Sequence, residues 1–351
     1  MKEERIYVDV HVLQTVPPSC VNRDDTGSPK TAIYGGVRRA RISSQSWKHA
    51  VRCYFRDHLD EQKLAYRTKN ADAKVADYLV QYGMSQEEAK KSAVKALKDA
   101  KIIASEDGKK NALFFISDAQ ARAVASAINS GADNEEIKKA LSETPGIEIA
   151  LFGRMVADNT ALGEDACCQV AHAISTHKVS NEYDYFTAVD DIQDDDASGA
   201  GHIGSNEFNS ATLYRYATVA VHDLANSLGT DTAQSVCDFL EAFVKSMPTG
   251  KMNSYANRTI PDAVLVTIRN DQPVNFVGAF EEAVNPDKQC GGYVSGSEKK
   301  LEMYVLESYK DFIDSPLKSF VVGNLDDSLG EKVSFGDLLL KVKDVLVENL
   351  S

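Results

Sequence analysis

Basic and hydroxyl side chains crowd into one short segment, GGVRRARISSQSWK, at residues 35–48. Its two glycines would let the backbone come close to a ligand. Ser43 and Ser44 stand where a helix N-terminus would offer free N–H groups and the positive end of its dipole to a phosphate. The segment therefore suits a sugar-phosphate backbone and gives little readout of bases. The side chains expected to bind RNA here are Arg39, Arg41, Ser43, Ser44, Gln45 and Lys48.

The helix that this segment would begin is expected from about Gln45 to Leu59. Lys48, Arg52 and Arg56 are spaced by four residues and so form a basic stripe on one face of that helix. The stripe adds Arg52 to the expected RNA contacts. The alternative interpretation is a capped surface helix with a solvated basic flank, and composition alone leaves both open.

A second unusual segment covers residues 181–209, NEYDYFTAVDDIQDDDASGAGHIGSNEFN. Tyr183, Tyr185 and Phe186 lie there in a polar context, where exposed rings can stack on bases or wedge between them. The alternative is that the rings anchor the segment to the protein body. The neighbouring acidic cluster could hold Mg²⁺, but a solvated acidic loop is the preferred interpretation. Its aspartates are Asp190, Asp191, Asp194, Asp195 and Asp196.

No complete catalytic pattern is present in the sequence: HExxH, GxSxG and CxxC are all absent. The six cysteines are scattered or adjacent, so free thiols are expected. Asp24 and Asp25 beside Arg23 could form a carboxylate pair for metal-assisted RNA cleavage, although they could equally cap a loop. We therefore expect no catalytic residue, no metal site and no cofactor.

The charge is unevenly distributed along the chain. The net charge is −13, but residues 1–56 hold ten Lys and Arg against five Asp and Glu, so the rest of the chain carries −18. A basic N-terminal face on an acidic body is typical of a protein that binds polyanion at one place. No apolar run is long enough to cross a bilayer, and the first residues lack a signal-peptide pattern, so a cytoplasmic protein is expected.

Strands interleaved with helices, together with an all-helical insert, predict an α+β fold. The apolar periodicity predicts strands at residues 5–14, 147–156, 169–179, 211–222 and 262–269. Helices are predicted at residues 45–59, 232–247, 297–313 and 334–350. Residues 15–42 and 180–210 are predicted to be loops, and residues 60–145 a helical insertion.

Several of these motifs together resemble one protein family. The runs SCVNRDD (19–25) and AIYGGVRRARISSQSWK (32–48) are similar to the N-terminus of the backbone subunit of type I-E CRISPR Cascade, the CasC type. The same family is matched, in the same order, by GRM (153–155), VAHAISTHKV (170–179), YFTAVDD (185–191) and FNSATLYRYA (208–217). The resemblance is weakest in the helical insert and in the tail after about residue 285.

The resemblance implies an α+β fold shaped like a right hand. Its palm would be a modified RRM-like, ferredoxin-like domain made of residues 1–59, 146–179 and 211–351. The helical fingers would be residues 60–145, and a long thumb loop would be residues 180–210.

The resemblance also implies a non-catalytic CRISPR RNA-binding subunit that polymerises along the guide spacer. The thumb would displace bases at intervals and leave segments free to pair with the target DNA strand in antiviral defence. The implied partners are CRISPR RNA, target DNA, other Cascade subunits and further copies of the chain in a head-to-tail filament. The acidic thumb would face the basic palm of a neighbouring copy, which favours that open-ended assembly.

Matched by position, Arg23, Ser43, Gln45 and Lys48 correspond to palm residues that contact the RNA backbone in the family. His49 stands where the family usually has a basic residue, which puts that single contact in doubt.

Other matched positions belong to the thumb and its surroundings. Met155 corresponds to a residue that wedges beside the displaced base, and Phe186 to a thumb aromatic that packs there. His202 corresponds to a thumb histidine, whereas Tyr185 stands where tryptophan is usual. The finger lysines expected near the target duplex, from a loose alignment, are Lys138 and Lys139.

Two other functions remain open at this point. The chain could be a metal-dependent endoribonuclease subunit of a type III-like effector that uses Asp24 or Asp25. It could also be a generic RRM-like single-strand binder that acts alone. Regular cleavage products in Mg²⁺ would identify the first, and a monomer in the presence of guide RNA the second.

Overall fold

The computed structural model describes residues 5–99, 113–156, 160–188, 202–289 and 291–350. The β-strands of this part are β1 (Tyr7–Ser19), β2 (Thr31–Tyr34), β3 (Val37–Ile42), β4 (Ala65–Thr68), β5 (Phe114–Ser117), β6 (Cys168–Val170), β7 (Ala173–Ser175), β8 (Glu182–Ala188), β9 (His202–Ala220), β10 (Ala263–Arg269), β11 (Lys318–Gly323) and β12 (Glu331–Lys332). The α-helices are α1 (Ser44–His58), α2 (Ala71–Gln81), α3 (Gln86–Asp99), α4 (Asp118–Asn129), α5 (Asn134–Ser142), α6 (Gly146–Phe152), α7 (Val221–Leu228), α8 (Thr232–Lys245), α9 (Met252–Tyr255), α10 (Val294–Asp311) and α11 (Phe335–Leu350). Short 3₁₀ helices cover Glu61–Lys63, Thr160–Leu162, Gly229–Asp231, Phe276–Phe280 and Asp327–Leu329.

The elements with strong periodicity lie where the sequence predicts them. The predicted helices are confirmed as α1, α8, α10 and α11, and strands are confirmed as β1, β9 and β10; the strand predicted at 169–179 is divided into β6, which begins one residue earlier, and β7. No helix in the described ranges is both long and apolar enough to span a membrane.

Four segments differ from their prediction. Residues 147–156, predicted as a strand, begin in α6, where Glu148 is buried together with its apolar neighbours, so that Ile147, Glu148 and Ile149 imitate the alternation of a strand. The predicted loop at 15–42 contains the end of β1 and the hairpin β2–β3. The insert at 60–145 is not all helical, since β4 and β5 pair within it. The predicted loop at 180–210 contains paired strands β8 and β9, and its residues 189–201, with the aspartate cluster, lie outside the described part.

One large sheet organises the chain, with strand order β12-β11-β10-β1-β9-β7-β3-β2. β1 is central and antiparallel to both β9 and β10, so that Val10 lies opposite Ala217 and Val266. All these pairs are antiparallel except β11 with β12. The predicted α+β class with an RRM-like sheet is confirmed.

Helices cover both faces of this sheet. Because side chains alternate along a strand, Val8, Val10 and Val12 face a core formed with α1, α8 and α11. The opposite side chains, including Leu13, face a second core formed with α10 and Phe276–Phe280. An RRM stacks bases on an open sheet face, and no such face is free along these central strands. A nucleic-acid site must therefore lie at the edge strands and the segments beyond them.

The helical region has a core of its own. Apolar residues of α2, α3, α4 and α5 pack there with Phe114 and Ile116 of β5. The side chains of Ala65, Phe115 and Ile149 form a small separate cluster where β4 and β5 meet α6. These contacts connect the helical region to the sheet domain beside α1. The exact boundaries predicted for palm, fingers and thumb stay a prediction.

Candidate nucleic-acid interface

The first part of the basic segment forms the hairpin β2–β3. Its two-residue turn, Gly35-Gly36, has φ values of +55° and +75°, which favour glycine at both positions. A Cβ on Gly35 would lie 1.6 Å from the carbonyl oxygen of Glu281. The close approach predicted for the glycines is thus, at Gly35, an approach to this protein's own backbone. Gly36 has open space around it.

Arg39 lies inside the protein and not on its surface. It is fully buried, and its Nη1 donates to the carbonyl oxygens of Ser175 (3.0 Å) and Thr176 (2.8 Å), while Nη2 donates to that of Phe280 (2.8 Å). Burial lowers the pKa of this guanidinium. The prediction that Arg39 contacts RNA is wrong, because its donors already hold the hairpin against β7 and the 3₁₀ helix.

Arg52 is also internal. Its Nε donates to Oε1 of Glu148 at 2.6 Å, and its guanidinium carbon lies 4.7 Å from the ring centroid of Phe115. The other carboxylate oxygen, Oε2, accepts from the N–H of Ala65 at 2.5 Å. The predicted stripe through Lys48, Arg52 and Arg56 is therefore wrong at its middle position, where α1 faces α6 and the helical region.

Four other cations, two of this segment and two that precede it, are at least partly exposed around one edge of the sheet. Arg41 donates through Nη1 to Nδ1 of His172 at 3.1 Å, taking the neutral imidazole as acceptor. Burial, then Arg41, then Lys30 lower the pKa of His172, which keeps that ring neutral and places Lys30 close by. Within the described ranges, no ion pair involves Lys30, Arg41, Arg23 or Lys48. These four side chains, which we call the palm cations, are available to a polyanion.

The start of α1 lies among the palm cations. Ser43 is the N-cap, and its Oγ accepts from the N–H of Ser46 at 3.4 Å. Asn22 fixes the cap by accepting from the N–H of Ser43 at 2.9 Å. The first turn has no acidic residue, so its positive dipole end is not compensated. Ser44 and Gln45 occupy that first turn with accessible side chains, as an RNA-binding role requires.

Lys48 links this helix start to a groove around Met155. Its Nζ lies 5.5 Å from the ring centroid of Phe152, which lines the groove. Met155 is 94% exposed, the highest value among the large apolar side chains of the described residues. An exposed thioether in a groove with a lysine near its Phe152 wall is compatible with one group meeting a base and the other a phosphate.

Close packing at Gly153 and the hydrogen bonds of Arg154 fix the backbone next to Met155. Gly153 has φ +74° and lies so close to the next segment that a Cβ would be 2.9 Å from the carbonyl oxygen of Glu164. Arg154 exchanges both backbone hydrogen bonds with Glu164, at 2.9 and 2.8 Å. Its buried guanidinium donates to the carbonyl oxygens of Leu162, Phe115 and Leu141, and to Oε1 of Gln120. Arg154 therefore positions Met155.

The described thumb residues form the antiparallel pair β8–β9, which projects from the sheet. Phe186 lies opposite Gly204 and packs on it, and a Cβ there would be 2.4 Å from the Phe186 ring. The ring centroids of Phe186 and His202 are 5.9 Å apart, so both predicted thumb contacts share one face. Tyr183 and Tyr185 point to the opposite face and are 70% and 65% exposed. These rings do not anchor the segment to the body.

The predicted finger lysines lie on α5 and are paired on the surface. Lys138 Nζ is 2.7 Å from Oε1 of Glu135, and Lys139 Nζ is 3.7 Å from Oε1 of Glu143. Exposed pairs of this kind are weak and can be exchanged for other partners. A contact of these lysines with a target duplex stays a prediction.

The Asp24 carboxylate accepts hydrogen bonds within a turn of its own segment. Its Oδ1 accepts from the N–H and Oγ1 of Thr26, at 3.0 and 2.7 Å, and from the N–H of Ser28 at 3.0 Å. The Thr26 hydroxyl is the first cause of its lowered pKa. Asp25 is exposed next to it. Among the described residues, no group of three or more His, Cys, Asp and Glu side chains could hold a metal ion.

Lys30, His172 and Arg67 lie at the candidate interface, and the sequence interpretation did not select them. Lys30 could have been found, because a two-residue turn at Gly35-Gly36 fixes the hairpin register and sets Lys30 across from Arg41. His172 and Arg67 reach the interface through pairings distant in sequence, and no local signal marks them.

An edge-strand hairpin, a helix start and a projecting strand pair define an α+β protein with a basic palm. The profile of the CT1975-like protein family matches residues 8–341, so the chain belongs to that family. One similar solved chain comes from a "CRISPR RNA-guided surveillance complex, pre-nicking"; it is 29% identical, with a TM-score of 0.82, and the match covers 98% of this chain and all of that one. Another, from a "CRISPR RNA-guided surveillance complex", is 28% identical with a TM-score of 0.65 and coverage of 97% and 99%. A comparison with curated protein sequences gave no match.

Proposed function

We propose that this chain is a non-catalytic backbone subunit of a CRISPR RNA-guided surveillance complex of type I-E, and that it binds the CRISPR RNA. The observation that carries the proposal is the set of palm cations around the uncompensated start of α1, free of carboxylate partners in the described ranges. The full-length similarity to chains of surveillance complexes supports the same role.

Binding acts mainly through phosphates. Arg23, Lys30, Arg41 and Lys48 meet the backbone electrostatically, and the free N–H groups of the first turn of α1 add directed hydrogen bonds. None of these groups reads a base edge, so a guide of any sequence is accepted. Several copies then bind along one strand, in contact with one another and with other subunits of the complex.

The thumb works by shape and stacking. Phe186 and His202 present rings on one face of β8–β9, and the palm presents Met155. We infer that these groups displace one base at regular intervals, so that the bases between them pair with the target DNA strand. Phosphate attraction plays little part here, because the described thumb residues 182–188 and 202–210 include Glu182, Asp184 and Glu207 but no lysine or arginine.

The proposed binding role is tested on assembled protein and single-stranded RNA of increasing length. Mass photometry should show copies added in steps as the RNA lengthens. Lys48→Ala and Arg23→Ala should each lower the slope of log K against log salt by ~0.7, the value for one phosphate contact on a single strand. Lys299→Ala, at an exposed lysine of α10, is the matched control and should leave the slope unchanged.

Three results would contradict the proposal. Unaltered salt slopes in both palm variants would remove the phosphate-binding role. A single copy on RNA of every length would make the chain an isolated single-strand binder. Guide cleavage in Mg²⁺ that disappears in Asp25→Ala would instead favour the endoribonuclease function.

A further inference from the structure

The strand pair β8–β9 leaves the sheet as a two-stranded ribbon, and a separate segment of the chain contacts its base. Every residue of β8 is exposed, so the ribbon has no core of its own. A two-stranded ribbon alone is only marginally stable in water, so this one depends on outside contacts for a fixed direction. The segment at its base is residues 250–257, GKMNSYAN, which we call the thumb bracket.

Two side chains of the thumb bracket contact one face of the ribbon. Lys251 donates from Nζ to Oδ1 of Asn206. The ring centroids of Tyr255 and Phe208 lie 6.0 Å apart. Because side chains alternate along a strand, Asn206 and Phe208 share one face of β9 with the glycine that lies opposite Phe186. Phe186 is thus two residue pairs, or ~7 Å, beyond Asn206 on the face that the thumb bracket contacts.

The thumb bracket also lies against the loop that carries Arg23. A Cβ on Gly250 would be 2.0 Å from the carbonyl oxygen of Val21 and 2.9 Å from that of Cys20, so this approach of two backbones needs a residue without a side chain. Burial raises the pKa of the Cys20 thiol, and Lys251 and Arg23 both oppose that shift, which places both cations near this thiol. The thumb bracket therefore joins the base of the thumb to one of the palm cations.

The backbone of the thumb bracket has a fixed conformation. Lys251 and Ala256 both have φ +46°, a left-handed conformation that is unfavourable for residues other than glycine. Residues persist in it where the surrounding structure holds them there. Asn257 is buried, and its Nδ2 donates to the carbonyl oxygen of Gly250 at 3.4 Å, which closes the segment on itself. A segment held in this way keeps a constant distance between the Arg23 loop and the ribbon.

We propose that Lys251 is a positioning residue, which through its hydrogen bond to Asn206 holds the Phe186 face of the thumb at a fixed distance from a phosphate bound at Arg23. The inference rests on the proposed function and adds to it the contact that sets which base the thumb displaces. Bases are displaced at regular intervals only if the ring and the phosphate contact keep a constant spacing along the strand. Lys251 acts here as a hydrogen-bond donor, so a neutral change at Asn206 should have the same effect as loss of the cation.

The test uses the full chain assembled on single-stranded RNA, with chemical probing of base reactivity along the bound strand. The wild type should show reactive bases at regular spacing. Asn206→Leu removes the acceptor without changing the charge, and Lys251→Met removes the donor; in both, the contrast between displaced and intervening bases should be lost. Asn206→Asp keeps an acceptor for the ammonium and should keep the wild-type pattern. The matched control is Asn253→Leu, at an exposed asparagine of the same thumb bracket, which should also keep it.

Two further measurements separate positioning from general damage. For Asn206→Leu, the urea midpoint followed by the fluorescence of the single tryptophan should equal that of the wild type, and so should the salt slope of RNA binding. Regular reactivity that persists in either Asn206→Leu or Lys251→Met would overturn the role of Lys251 and leave the proposed function standing. A lowered midpoint in Asn206→Leu, or a lost pattern in Asn253→Leu or Asn206→Asp, would overturn it as well. If the wild type binds RNA without regular reactivity, the proposed displacement of bases fails, and the role of Lys251 fails with it.

Discussion

Replacing Arg52 by methionine should destabilise the fold while the affinity for RNA phosphates stays unchanged. The guanidinium lies between Glu148, at 2.6 Å, and the ring of Phe115, at 4.7 Å. Glu148 is fully buried, and its second oxygen accepts from Ala65 at the start of β4. Methionine keeps the apolar stem of Arg52 but leaves the Glu148 carboxylate without its cation.

The expected cost follows from that geometry. Removing one partner of a buried ion pair costs ~3–5 kcal/mol, mainly because the other charge stays buried and uncompensated. The side chain of Arg52 is 11% exposed, so some solvent reaches the pair, and the lower end of the range applies. We therefore expect a loss of about 3 kcal/mol. With an m value of about 3 kcal/mol/M, the urea midpoint should fall by roughly 1 M.

The assay can use the single tryptophan of the chain. Trp47 is buried on α1, with the Arg215 guanidinium carbon 3.7 Å from its ring centroid, so its fluorescence reports the packing of that helix. Urea unfolding should be followed by this signal, and RNA binding by anisotropy at several salt concentrations. The salt slope of Arg52→Met should equal that of the wild type, because no phosphate contact is lost.

Two companion variants make the result decisive. Arg56→Met, at an exposed position one turn further along α1, should change stability by less than ~0.5 kcal/mol. The double variant Arg52→Met, Glu148→Gln removes both charges and should be more stable than Arg52→Met alone. The reasoning is refuted if Arg52→Met and Arg56→Met unfold at the same urea concentration, or if Arg52→Met lowers the salt slope as Lys48→Ala does.

Three further outcomes are expected. Phe186→Ala should weaken RNA binding by ~1–3 kcal/mol per copy with no change in salt slope, because a ring and not a charge is removed; an altered salt slope, measured by anisotropy, would contradict this. Gly35→Ala should displace the hairpin β2–β3, since its Cβ would lie 1.6 Å from the Glu281 oxygen, and RNA affinity should fall although no cation is lost; wild-type affinity would contradict the positioning argument. Burial raises the pKa of Asp9 from 3.8 to about 6, so the native carboxyl retains a proton that the unfolded chain has released. Its contribution to stability therefore falls as pH rises from about 4 to about 6, and urea midpoints of Asp9→Asn should lack that fall. Burial lowers the pKa of His11 to about 3, so the contribution of His11 to stability rises with pH instead. This contribution is present in both the wild type and Asp9→Asn.

Local signals in the sequence were sufficient for α1 and its cap. Ser43 precedes an apolar face at helical spacing, and the structure places Ser43 at the N-cap, with Trp47, Val51 and Phe55 buried. For the candidate site, the structure leaves Arg23 exposed and Lys48 partly exposed, without an ion pair in the described ranges, while their binding of RNA stays a prediction. These features depend on neighbours a few residues away, which the sequence displays directly.

The errors have a common physical cause in contacts distant along the chain. Arg39 and Arg52 look like surface cations, but their partners lie 136 and 96 residues further on. The thumb was predicted as a loop because every residue of β8 is exposed, so its strand has no apolar alternation to read. In both cases the pairing partner decides the structure, and one sequence does not reveal that partner.

The buried arginines fix the positions of the segments that carry the exposed cations and Met155. Arg39 ties the hairpin to β7, Arg52 ties α1 to α6, and Arg154 holds the Met155 backbone against Gly163–Ala166. Each removes freedom from a segment that also carries a free cation or an exposed apolar side chain. A ligand that meets fixed groups loses less conformational entropy to ordering them, so more of each contact remains as affinity. The basic residues around the candidate interface therefore form two groups: buried ones that position the surface and exposed ones that are available to bind phosphate. Replacing a residue of the first group should change the affinity for every RNA sequence equally.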